Sequence, residues 1–540
     1  MGTTVFTNGT ILESYRADAA EHIAVAVTDG SVVAVGADAL ALRDSAEAIV
    51  DLLGGVLAPA FGDGHAHPLQ GGLEKLGPQV RSCTSVGEIV ACVAEWADAH
   101  PEQEWIYGGS YDATLAPEGM FDARWLDEAV PDRPVVLRAW DYHTVWVNSE
   151  ALRRAGIDAR TPEPALGRIP RREDGSPLGI LQEPGAVDLL IPVEPGRSHD
   201  ERVEALRLAT AEYAELGIAW IQDAWVEPAE LEAYLEASAR GLLSTRVNLA
   251  LRADPLRWRD QVPEFVESRR RVEELGDPLL TATTIKVFVD GVIENHTAAM
   301  LADYTDTPGD RGLPNWEARE LTAAAVTLDK LGFQLHLHAI GDAAARTALD
   351  VFEEVERANG PRDRRPVIAH VQVVDPADLP RFERLGVIAN FEPLWAQLDP
   401  MMLDLTIPRL GPERERLQYP IRTLLESASV SFGSDWPVSS ADWRPGVATA
   451  VTRQTEALVP EDGWTPAERI PLTDALEAYS SGVAHQAFAH TARGALRPGS
   501  GPDLVWLDTD PRHVDPHDLR SVRVLGTWVA GVRRAATVRS

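Results

Sequence analysis

The feature that most limits what this chain can fold into is a regular alternation of strand-like and helix-like segments from about residue 217 onward. The predicted strands are residues 218–224, 246–252, 283–290, 333–340, 367–373, 387–391 and 430–434. The predicted helices before and between them are residues 198–216, 228–240, 260–275, 317–331, 343–358 and 376–385. Such alternation predicts an α/β fold with a parallel sheet. With residues 55–62 as a first strand the count reaches eight, which predicts a closed (β/α)8 TIM-like barrel.

Both ends of the chain have a different pattern, which is rich in short β-strands. Near the N-terminus these strands are residues 4–12, 22–28, 31–35 and 49–58, and near the C-terminus they are residues 503–507, 522–525 and 528–532. A chain of 540 residues is too long for one compact core. We therefore expect the two ends to pair into a small β-sandwich beside the barrel.

The stretch between the first and second predicted barrel strands is too long for a simple βα connection. We interpret it as an inserted α+β subdomain, rich in Trp, Pro and Arg. Insertions at the C-terminal ends of barrel strands overhang the active site, so this one is expected to shape the substrate pocket. The predicted domains are the N-terminal part of the sandwich (1–58), barrel strand one (59–72), the insert (73–197), the rest of the barrel (198–492) and the C-terminal part of the sandwich (493–540).

The composition argues against several classes of function. The formal net charge is −33, so the surface should repel nucleic acids and anionic membranes. Cys83 and Cys92 are too few for a disulfide scaffold and lack the spacing of a zinc knuckle. The sequence shows no apolar run of membrane-spanning length and no signal peptide. We expect a cytoplasmic protein that acts on a small molecule, with no nucleic-acid or membrane partner.

The strongest local signal for chemistry is the motif His65-Ala66-His67, which follows an apolar run. Residues two apart in an extended strand face the same side, so both histidines should project into the mouth of the barrel. Imidazole is a common metal ligand, and the motif therefore indicates a pair of metal ligands. The alternative is two polar histidines at the end of a strand.

Three later predicted strands also end in polar residues. His338, His370 and Asp435 each follow an apolar β-like run, at the strand end where a barrel places its catalytic groups. Together with the first pair they indicate a zinc-type site. His336 shares a face with His338, and either residue could be the ligand. We favour His338 because it lies nearer the C-terminal end of its strand.

Lys286 lies inside a predicted apolar strand, in a chain that has three lysines among 50 basic residues. Burying a charged amine is costly, and lysine, unlike arginine, can lose its proton. A neutral amine can add carbon dioxide to form a carbamate, which is an anionic oxygen ligand able to bridge two metal ions. The alternative is a lysine that reaches the barrel rim or pairs with an acid such as Asp290.

These residues together resemble the amidohydrolase superfamily, and the resemblance covers nearly the whole chain. The positions that match its ligands are His65 and His67 on strand one, Lys286 on strand four, His338 on strand five, His370 on strand six and Asp435 on strand eight. The split β-sandwich and the run from Arg493 to Val505 are further family features. The segments that begin at Asp290, His338 and Gly433 are similar to the amidohydrolase family 3 subgroup, which contains N-substituted formamide deformylases.

The resemblance implies a hydrolase that cleaves a C–N bond, in an amide, N-acyl or N-formyl substrate, by means of a metal-activated water. It implies one or two divalent ions, with zinc as the expected metal. In that arrangement His65, His67 and Asp435 hold the more buried ion, His338 and His370 hold the second, and carbon dioxide bound to Lys286 as a carbamate bridges the two. Asp435 is expected to take a proton from the water and pass it to the leaving amine. Many relatives are dimers, which implies a homodimer by analogy.

Substrate contacts are expected from the insert and from the loops at the barrel mouth. The predicted substrate-binding residues are Tyr142, His143, Glu183 and Trp436. Glu183 is open to three interpretations, as a substrate contact, a metal ligand or an ordinary surface acid.

Two other functions fit the same residues. The first is deamination or cyclic-amide hydrolysis on the same scaffold, and deaminase-type sites commonly use one metal and no carboxylated lysine. The second is a regulatory homologue that keeps the fold without the activity. The complete set of ligand residues argues against this second alternative.

Overall fold

The computed structural model describes residues 2–536, and its centre is an eight-stranded parallel sheet that is curled into a nearly closed barrel. We call its members barrel strands 1 to 8 in chain order. They are Phe61–Ala66, Ile218–Val226, Arg246–Arg252, Leu280–Phe288, Gln334–Ala339, Val367–His370, Ile388–Phe391 and Ser429–Phe432. Each strand pairs in parallel with the next along this series. The predicted TIM-like fold is confirmed.

Hydrogen bonds beyond the end of barrel strand 8 bring it against barrel strand 1. The backbone N–H of Asp435 donates to the carbonyl of His65, and the N–H of His67 donates to the carbonyl of Trp436, both at 2.7 Å. Gly433 allows this approach, because a Cβ at this position would lie 2.7 Å from the backbone nitrogen of His65. The closure therefore joins two of the segments that carry predicted metal ligands.

The helices pack around the barrel and in the insert. Their bounds are Gly36–Ala41, Pro68–Glu74, Val86–Ala99, Ala123–Asp127, Ser149–Ala155, Pro184–Val187, His199–Glu215, Pro228–Ala239, Trp258–Leu275, Ala318–Lys330, Asp342–Asn359, Leu379–Leu385, Ile407–Glu415, Ile421–Leu425, Trp443–Thr452, Leu472–Glu477 and Val483–Gln486, with π-helical turns at Met402–Thr406 and Ala478–Gly482. None of the helices within residues 2–536 combines the length and the apolar character that a membrane-spanning helix requires.

Local sequence explains where the helix before barrel strand 2 begins. The Ser198 hydroxyl accepts the backbone N–H of Glu201 at 3.2 Å, and the Glu201 carboxylate accepts the N–H of Ser198 at 2.8 Å. This reciprocal capping satisfies two N–H groups that have no partner inside the helix. The helix then buries an apolar face that includes Leu206 and Tyr213 against the barrel.

The two ends of the chain pair with each other, as predicted, and their strands form one further sheet where a sandwich was expected. Its strands are Thr4–Leu12, Glu21–Thr28, Ser31–Val35, Ala48–Asp51, Val56–Pro59, Leu504–Leu507, Val524–Val529 and Val532–Ala536. The ends meet where Val56–Pro59 pairs antiparallel with Leu504–Leu507. The structure therefore has one continuous eight-stranded sheet built from both termini.

One predicted boundary differs from the structure. Residues 55–62 were predicted to begin the barrel, but Val56–Pro59 belongs to the terminal sheet and the barrel begins at Phe61. The change occurs at Ala60, whose N–H donates to the carbonyl of Asp503, whereas the N–H of Phe61 donates to the carbonyl of Gly217. Both segments are buried and apolar, so the sequence pattern does not separate them.

The insert lies between barrel strands 1 and 2 and carries its own four-stranded sheet. The strands of this sheet are Ile106–Tyr111, Val135–Ala139, Thr144–Val147 and Ile180–Gln182. Trp146 is fully buried in a core that belongs to the insert, together with Phe121 and Leu137. The two loops that flank Thr144–Val147 and Ile180–Gln182 face the barrel mouth and carry predicted substrate-binding residues.

Candidate metal centre

The six predicted metal-ligand residues lie together at the C-terminal mouth of the barrel. They are His65, His67, Lys286, His338, His370 and Asp435, and all of them line one cavity of about 280 Å³. Each is buried, with at most 6% of its surface exposed. The strands deliver them from far-separated parts of the chain, because the C-terminal ends of parallel strands meet at one end of a barrel.

The first two histidines surround the carboxylate of Asp435. The Nε2 atom of His67 lies 2.9 Å from Asp435 Oδ1, and Nε2 of His65 lies 3.5 Å from the same oxygen. Lys286 Nζ lies 3.4 Å from Nε2 of His65. Asp435 has a φ of 52°, which is strained for a non-glycine residue and turns the chain at this point.

The other two histidines complete the cluster. The rings of His338 and His370 have centroids 4.5 Å apart, and the ring of His65 lies 4.7 Å from that of His370. His370 has a φ of 76° and Val371 a φ of 47°, and the left-handed region is strongly disfavoured for a β-branched residue. Strained backbone of this kind concentrates at functional sites.

The donor set fits a divalent cation. His65, His370 and Asp435 each offer a ligand atom, and these atoms all lie within 4.8 Å of one another. Nδ1 of His67 is buried, and no group in residues 2–536 forms a hydrogen bond with it, whereas Oδ1 of Asp435 has the ring nitrogens of His65 and His67 beside it. Nitrogen and carboxylate ligands of this kind are typical of zinc sites.

Burial also keeps the imidazoles in the neutral form that a metal requires. Desolvation lowers the pKa of His370 to about 3, and it lowers the pKa of His65 and His338 well below the usual histidine value. The pKa of Asp435, which burial alone would raise, is held below its usual value by His67 and the neighbouring groups. Neutral imidazoles and an ionised carboxylate are the forms that bind a metal ion.

A partner behind three of the four histidines fixes which ring nitrogen faces the cavity. Nδ1 of His65 lies 2.8 Å from Nε2 of His336, and Nδ1 of His370 lies 2.8 Å from a carboxylate oxygen of Glu392. Nε2 of His338 lies 3.1 Å from the carbonyl of Gly291. The nitrogens left to bind an ion are therefore Nε2 of His65, Nε2 of His370 and Nδ1 of His338.

His336 and His338 were the two alternatives on barrel strand 5. His338 lines the cavity, whereas His336 lies behind His65 and is not among the residues that line it. This placement supports His338 as the ligand and gives His336 a supporting position.

Lys286 is fully buried on barrel strand 4. Desolvation lowers its pKa to about 8, although the carboxylates of Asp435, Glu392 and Asp223 act in the opposite direction. Its amine stands 4.5 Å from the centroid of the Phe288 ring. It does not reach the rim of the barrel, and no carboxylate among the described residues forms an ion pair with it within 4.0 Å.

Two buried aspartates that the sequence analysis did not assign to the site hold its framework together. Asp63 accepts the backbone N–H groups of Ser434 at 3.0 Å and His65 at 3.2 Å, which ties barrel strand 1 to the end of strand 8. Asp290 accepts the N–H groups of Gly341 at 2.9 Å and Ile340 at 3.1 Å. Burial raises the pKa of both carboxyl groups to about 7.

The insert supplies His143 to the cavity, and the carboxylate of Glu183 lies behind this ring and is not among the residues that line the cavity. Nδ1 of His143 lies 2.7 Å from the carboxylate of Glu183, which also accepts the Thr297 hydroxyl at 2.5 Å. Glu183 is 1% exposed, so it is not a surface acid, and its φ is 65°. Burial lowers the pKa of His143, but Glu183 outweighs that effect and raises the pKa to about 9.

The two remaining predicted substrate residues lie in different places. Tyr142 lines the cavity, and its hydroxyl donates to Glu74. Trp436 is not among the residues that line it. Its ring packs against Gly71 and lies 5.5 Å from the ring of Tyr213, because the turn after Asp435 directs it outward between the barrel and its helices.

Much of the remaining cavity wall is apolar, and the sequence analysis left most of it unassigned. Its large apolar members are Trp140, Trp225, Phe288, Trp395, Met401 and Met402. From the sequence, Trp140, Trp146 and Trp395 were candidates for an apolar pocket, although aromatic and methionine residues more often belong to a core; Trp140 and Trp395 line the cavity and Trp146 does not.

A nearly closed (β/α)8 barrel with a buried histidine–carboxylate cluster at its C-terminal mouth defines the metal-dependent hydrolase class. A family model described as "Amidohydrolase family" matches residues 48–535, and the chain belongs to that family.

Relatives and solved structures agree with this assignment. The chain is 30% identical to Protein LONG AFTER FAR-RED 3 of Arabidopsis thaliana over 97% of this chain and 90% of the relative. It is 27% identical to N-substituted formamide deformylase of Arthrobacter pascens over 95% of this chain and 94% of the relative. The crystal structure of an uncharacterized metal-dependent hydrolase from Pyrococcus horikoshii shares the fold, with a TM-score of 0.76, 24% identity, and coverage of 95% of this chain and 99% of that chain.

Proposed function

We propose that this chain hydrolyses the C–N bond of a small amide, N-acyl or N-formyl substrate. The observation that carries the proposal is the convergence of buried ligand atoms of His65, His370 and Asp435, all within 4.8 Å of one another, at the barrel mouth. The similarity to a relative named N-substituted formamide deformylase supports an amide as the substrate class.

The six residues of the centre would hold one or two divalent ions, with zinc as the expected metal. His65, His67 and Asp435 would hold one ion, His338 and His370 the other, with Lys286 between them. When bound, such ions lower the pKa of a water molecule and polarise a carbonyl group. Side chains of the protein would carry out the proton transfer and contact the substrate.

Lys286 would complete the centre as a carbamate. The ammonium first loses one proton to solvent. The neutral amine then adds to the carbon of carbon dioxide, a C–N bond forms as one C=O π bond breaks, and a second proton leaves to solvent, so that the product is an anionic carbamate. The pKa of about 8 leaves a usable fraction of the neutral amine near neutral pH. Because Arg is always charged, only lysine can carry out this step here.

Asp435 would move the proton during hydrolysis. Its buried Oδ1 takes a proton from the attacking water and later returns it to the leaving nitrogen, so one carboxylate serves both steps. His143 and Tyr142 would contact the polar part of the substrate from the insert side, with Glu183 keeping His143 charged. The aromatic and methionine side chains of the wall suit an apolar substituent on the substrate nitrogen.

The proposal is tested by an assay of amine release. Purified protein reconstituted with zinc chloride and bicarbonate is incubated with a panel of N-formyl and N-acyl amines, and free amine is detected with an amine-reactive dye. We expect release that stops when a chelator is added. The control is the double variant His65→Ala, His370→Ala, which lacks two ligands.

A zinc-loaded wild-type protein that releases no more amine than this control, across the whole panel, would contradict the proposal. Ammonia released from an aminated heterocycle under the same conditions would favour the deaminase alternative instead.

A further inference from the structure

We propose that Glu392 is a positioning residue of the metal centre, which holds His370 so that its Nε2 atom faces the cavity. This inference rests on the proposed metal centre and deepens it. Glu392 follows barrel strand 7 directly and is fully buried. It was not recognised in the sequence, where it is one of 83 acidic residues.

The contact between the two side chains is direct. Oε2 of Glu392 lies 2.8 Å from Nδ1 of His370, with both residues at most 2% exposed. As a carboxylate, or as the carbonyl oxygen of the acid, Oε2 accepts from Nδ1–H, which leaves Nε2 with its lone pair. The contact therefore fixes the tautomer that a metal ligand needs.

A second contact from the same segment fixes the plane of the ring. The short helical turn Pro393–Trp395 places the Trp395 ring parallel to that of His370, with an interplanar angle of 3° and 5.4 Å between centroids. Glu392 thus contacts the edge of the imidazole, and Trp395 covers its face. Between them these contacts define both the tilt and the rotation of the ring.

The backbone of His370 explains why such support is required. Its φ of 76° lies in the left-handed region, and the next residue, Val371, is left-handed as well. A non-glycine residue holds this conformation only when its surroundings stabilise it. The segment after barrel strand 7 supplies such surroundings from the neighbouring strand.

The burial of Glu392 is difficult to explain by a contribution to stability alone. A buried carboxyl group is costly, and Oε1 of Glu392 has no hydrogen-bond partner in residues 2–536. Burial and the nearby Asp435 raise its pKa well above the usual glutamate value. A role in orienting the metal ligand His370 explains why a carboxyl group is buried here despite this cost.

The test compares the zinc affinity of full-length variants by competition with a chromophoric chelator. Glu392→Met keeps the length of the side chain and removes the acceptor, and Glu392→Ala is a second deletion of the same group. We expect each to weaken zinc binding about 10- to 100-fold. Glu392→Gln keeps a carbonyl oxygen that accepts Nδ1–H, so we expect its zinc affinity to stay within about threefold of wild type.

Two further measurements separate positioning from general destabilisation. The control is Asp329→Leu, which removes a buried carboxylate paired with Arg362 and Arg364 on a helix outside the cavity, and its zinc affinity should equal that of wild type. In a His370→Ala background, Glu392→Met should cause no further loss of affinity, because the residue through which it acts is gone. The visible absorption of the Co²⁺-substituted protein should change in Glu392→Met and not in Glu392→Gln.

The inference is overturned if Glu392→Met and Glu392→Ala bind zinc as tightly as wild type. It is equally overturned if Glu392→Gln loses as much affinity as the deletions, or if the loss persists in the His370→Ala background. A wild-type protein that binds no zinc at all would instead contradict the proposed function, so the two failures are distinguishable.

Discussion

Asp435 is the residue on which the proposed reaction depends most, because it is assigned both a ligand role and the proton transfer. Its carboxylate is buried beside two histidines, and its backbone donates a hydrogen bond to barrel strand 1. These contacts place one oxygen at the centre of the cluster. A change that keeps the shape of the side chain but removes its basicity therefore tests the chemistry apart from the fold.

We predict that Asp435→Asn retains most of its zinc and loses about 10²- to 10⁴-fold in kcat, as expected for the loss of a general base. The amide oxygen can still act as a ligand, but it cannot take a proton from water. Zinc content and turnover should be measured on the same preparation. A variant with full activity would remove Asp435 from the proton-transfer step.

The His143–Glu183 pair predicts a pH effect. Glu183 raises the pKa of His143 to about 9, so the charged ring is present below that pH and is lost as the pH rises through it. Substrate binding through this ring should therefore weaken above about pH 9. In Glu183→Gln the histidine loses its proton at lower pH, so the alkaline limb of kcat/KM should move toward neutrality.

The measurement is kcat/KM against pH for wild type and Glu183→Gln. The carbonyl of glutamine still accepts from Nδ1–H, which makes this variant a test of charge more than of geometry. An alkaline limb at the same pH in both proteins would show that His143 does not control it.

Single residues also differ in how far the sequence could predict them. His65 and His67 are recognisable because their spacing puts both on one face of a strand. Asp63 and Glu392 are not, because their roles depend on burial and on contacts with Ser434 and His370, which are 371 and 22 positions away in the sequence. An acidic residue gives no local sign that it will be buried in this way.

At the scale of elements, the barrel strands were predicted well where they are bounded by clear turns. Barrel strand 3 was predicted with its observed bounds, Arg246–Arg252. Predicted strand 49–58 is instead divided, because Leu53 and Gly54 adopt positive φ values of 52° and 80° and turn the chain. At the C-terminus, the strand Val524–Val529 spans the gap between predicted strands 522–525 and 528–532, and a turn at residues 530–531 separates it from the strand Val532–Ala536. The alternation of apolar residues in a sequence does not show where such turns lie or at which residues the strands begin and end.

The contact between barrel strands 1 and 8 gives a prediction at this scale. A Cβ at Gly433 would lie 2.7 Å from the backbone nitrogen of His65 and 2.9 Å from its carbonyl oxygen. Backbone atoms cannot move aside cheaply, so Gly433→Ala should destabilise the protein by about 1–3 kcal/mol, as overpacking does. Because the same contact positions His65, zinc affinity should fall as well.

The control for this variant is Gly87→Ala, where an added Cβ meets no atom within 4 Å. It lies in the helix Val86–Ala99, so alanine should be neutral or stabilising by up to about 1 kcal/mol. Denaturant unfolding and zinc titration should be run on both. Equal stability and zinc affinity in the two variants would argue against the closure as a support of the site.

At the scale of the whole molecule, the sequence pattern predicted the barrel, the shared sheet of the two termini and the insert after barrel strand 1. It could not predict how the insert lies over the barrel mouth. That arrangement is set by long-range contacts such as Glu183 with Thr297 and Gln182 with Asn295, which no local pattern contains. For the same reason the outward direction of Trp436 was not foreseen.

The parts of the molecule together surround one buried metal centre. The terminal sheet packs at the side of the barrel, and the insert supplies His143 and Tyr142 to the cavity at the barrel mouth. Barrel strands 1, 4, 5 and 6, together with the end of strand 8, supply the six ligand residues. The proposed activity therefore requires that the six ligand residues hold a divalent ion at the barrel mouth.

The most direct measurement is the number of metal ions bound per chain, determined by elemental analysis after zinc and bicarbonate have been supplied and excess metal removed. We predict one or two zinc ions per wild-type chain, and fewer in the double variant His65→Ala, His370→Ala. A folded wild-type protein that retains no zinc, or as much as the double variant, would contradict it.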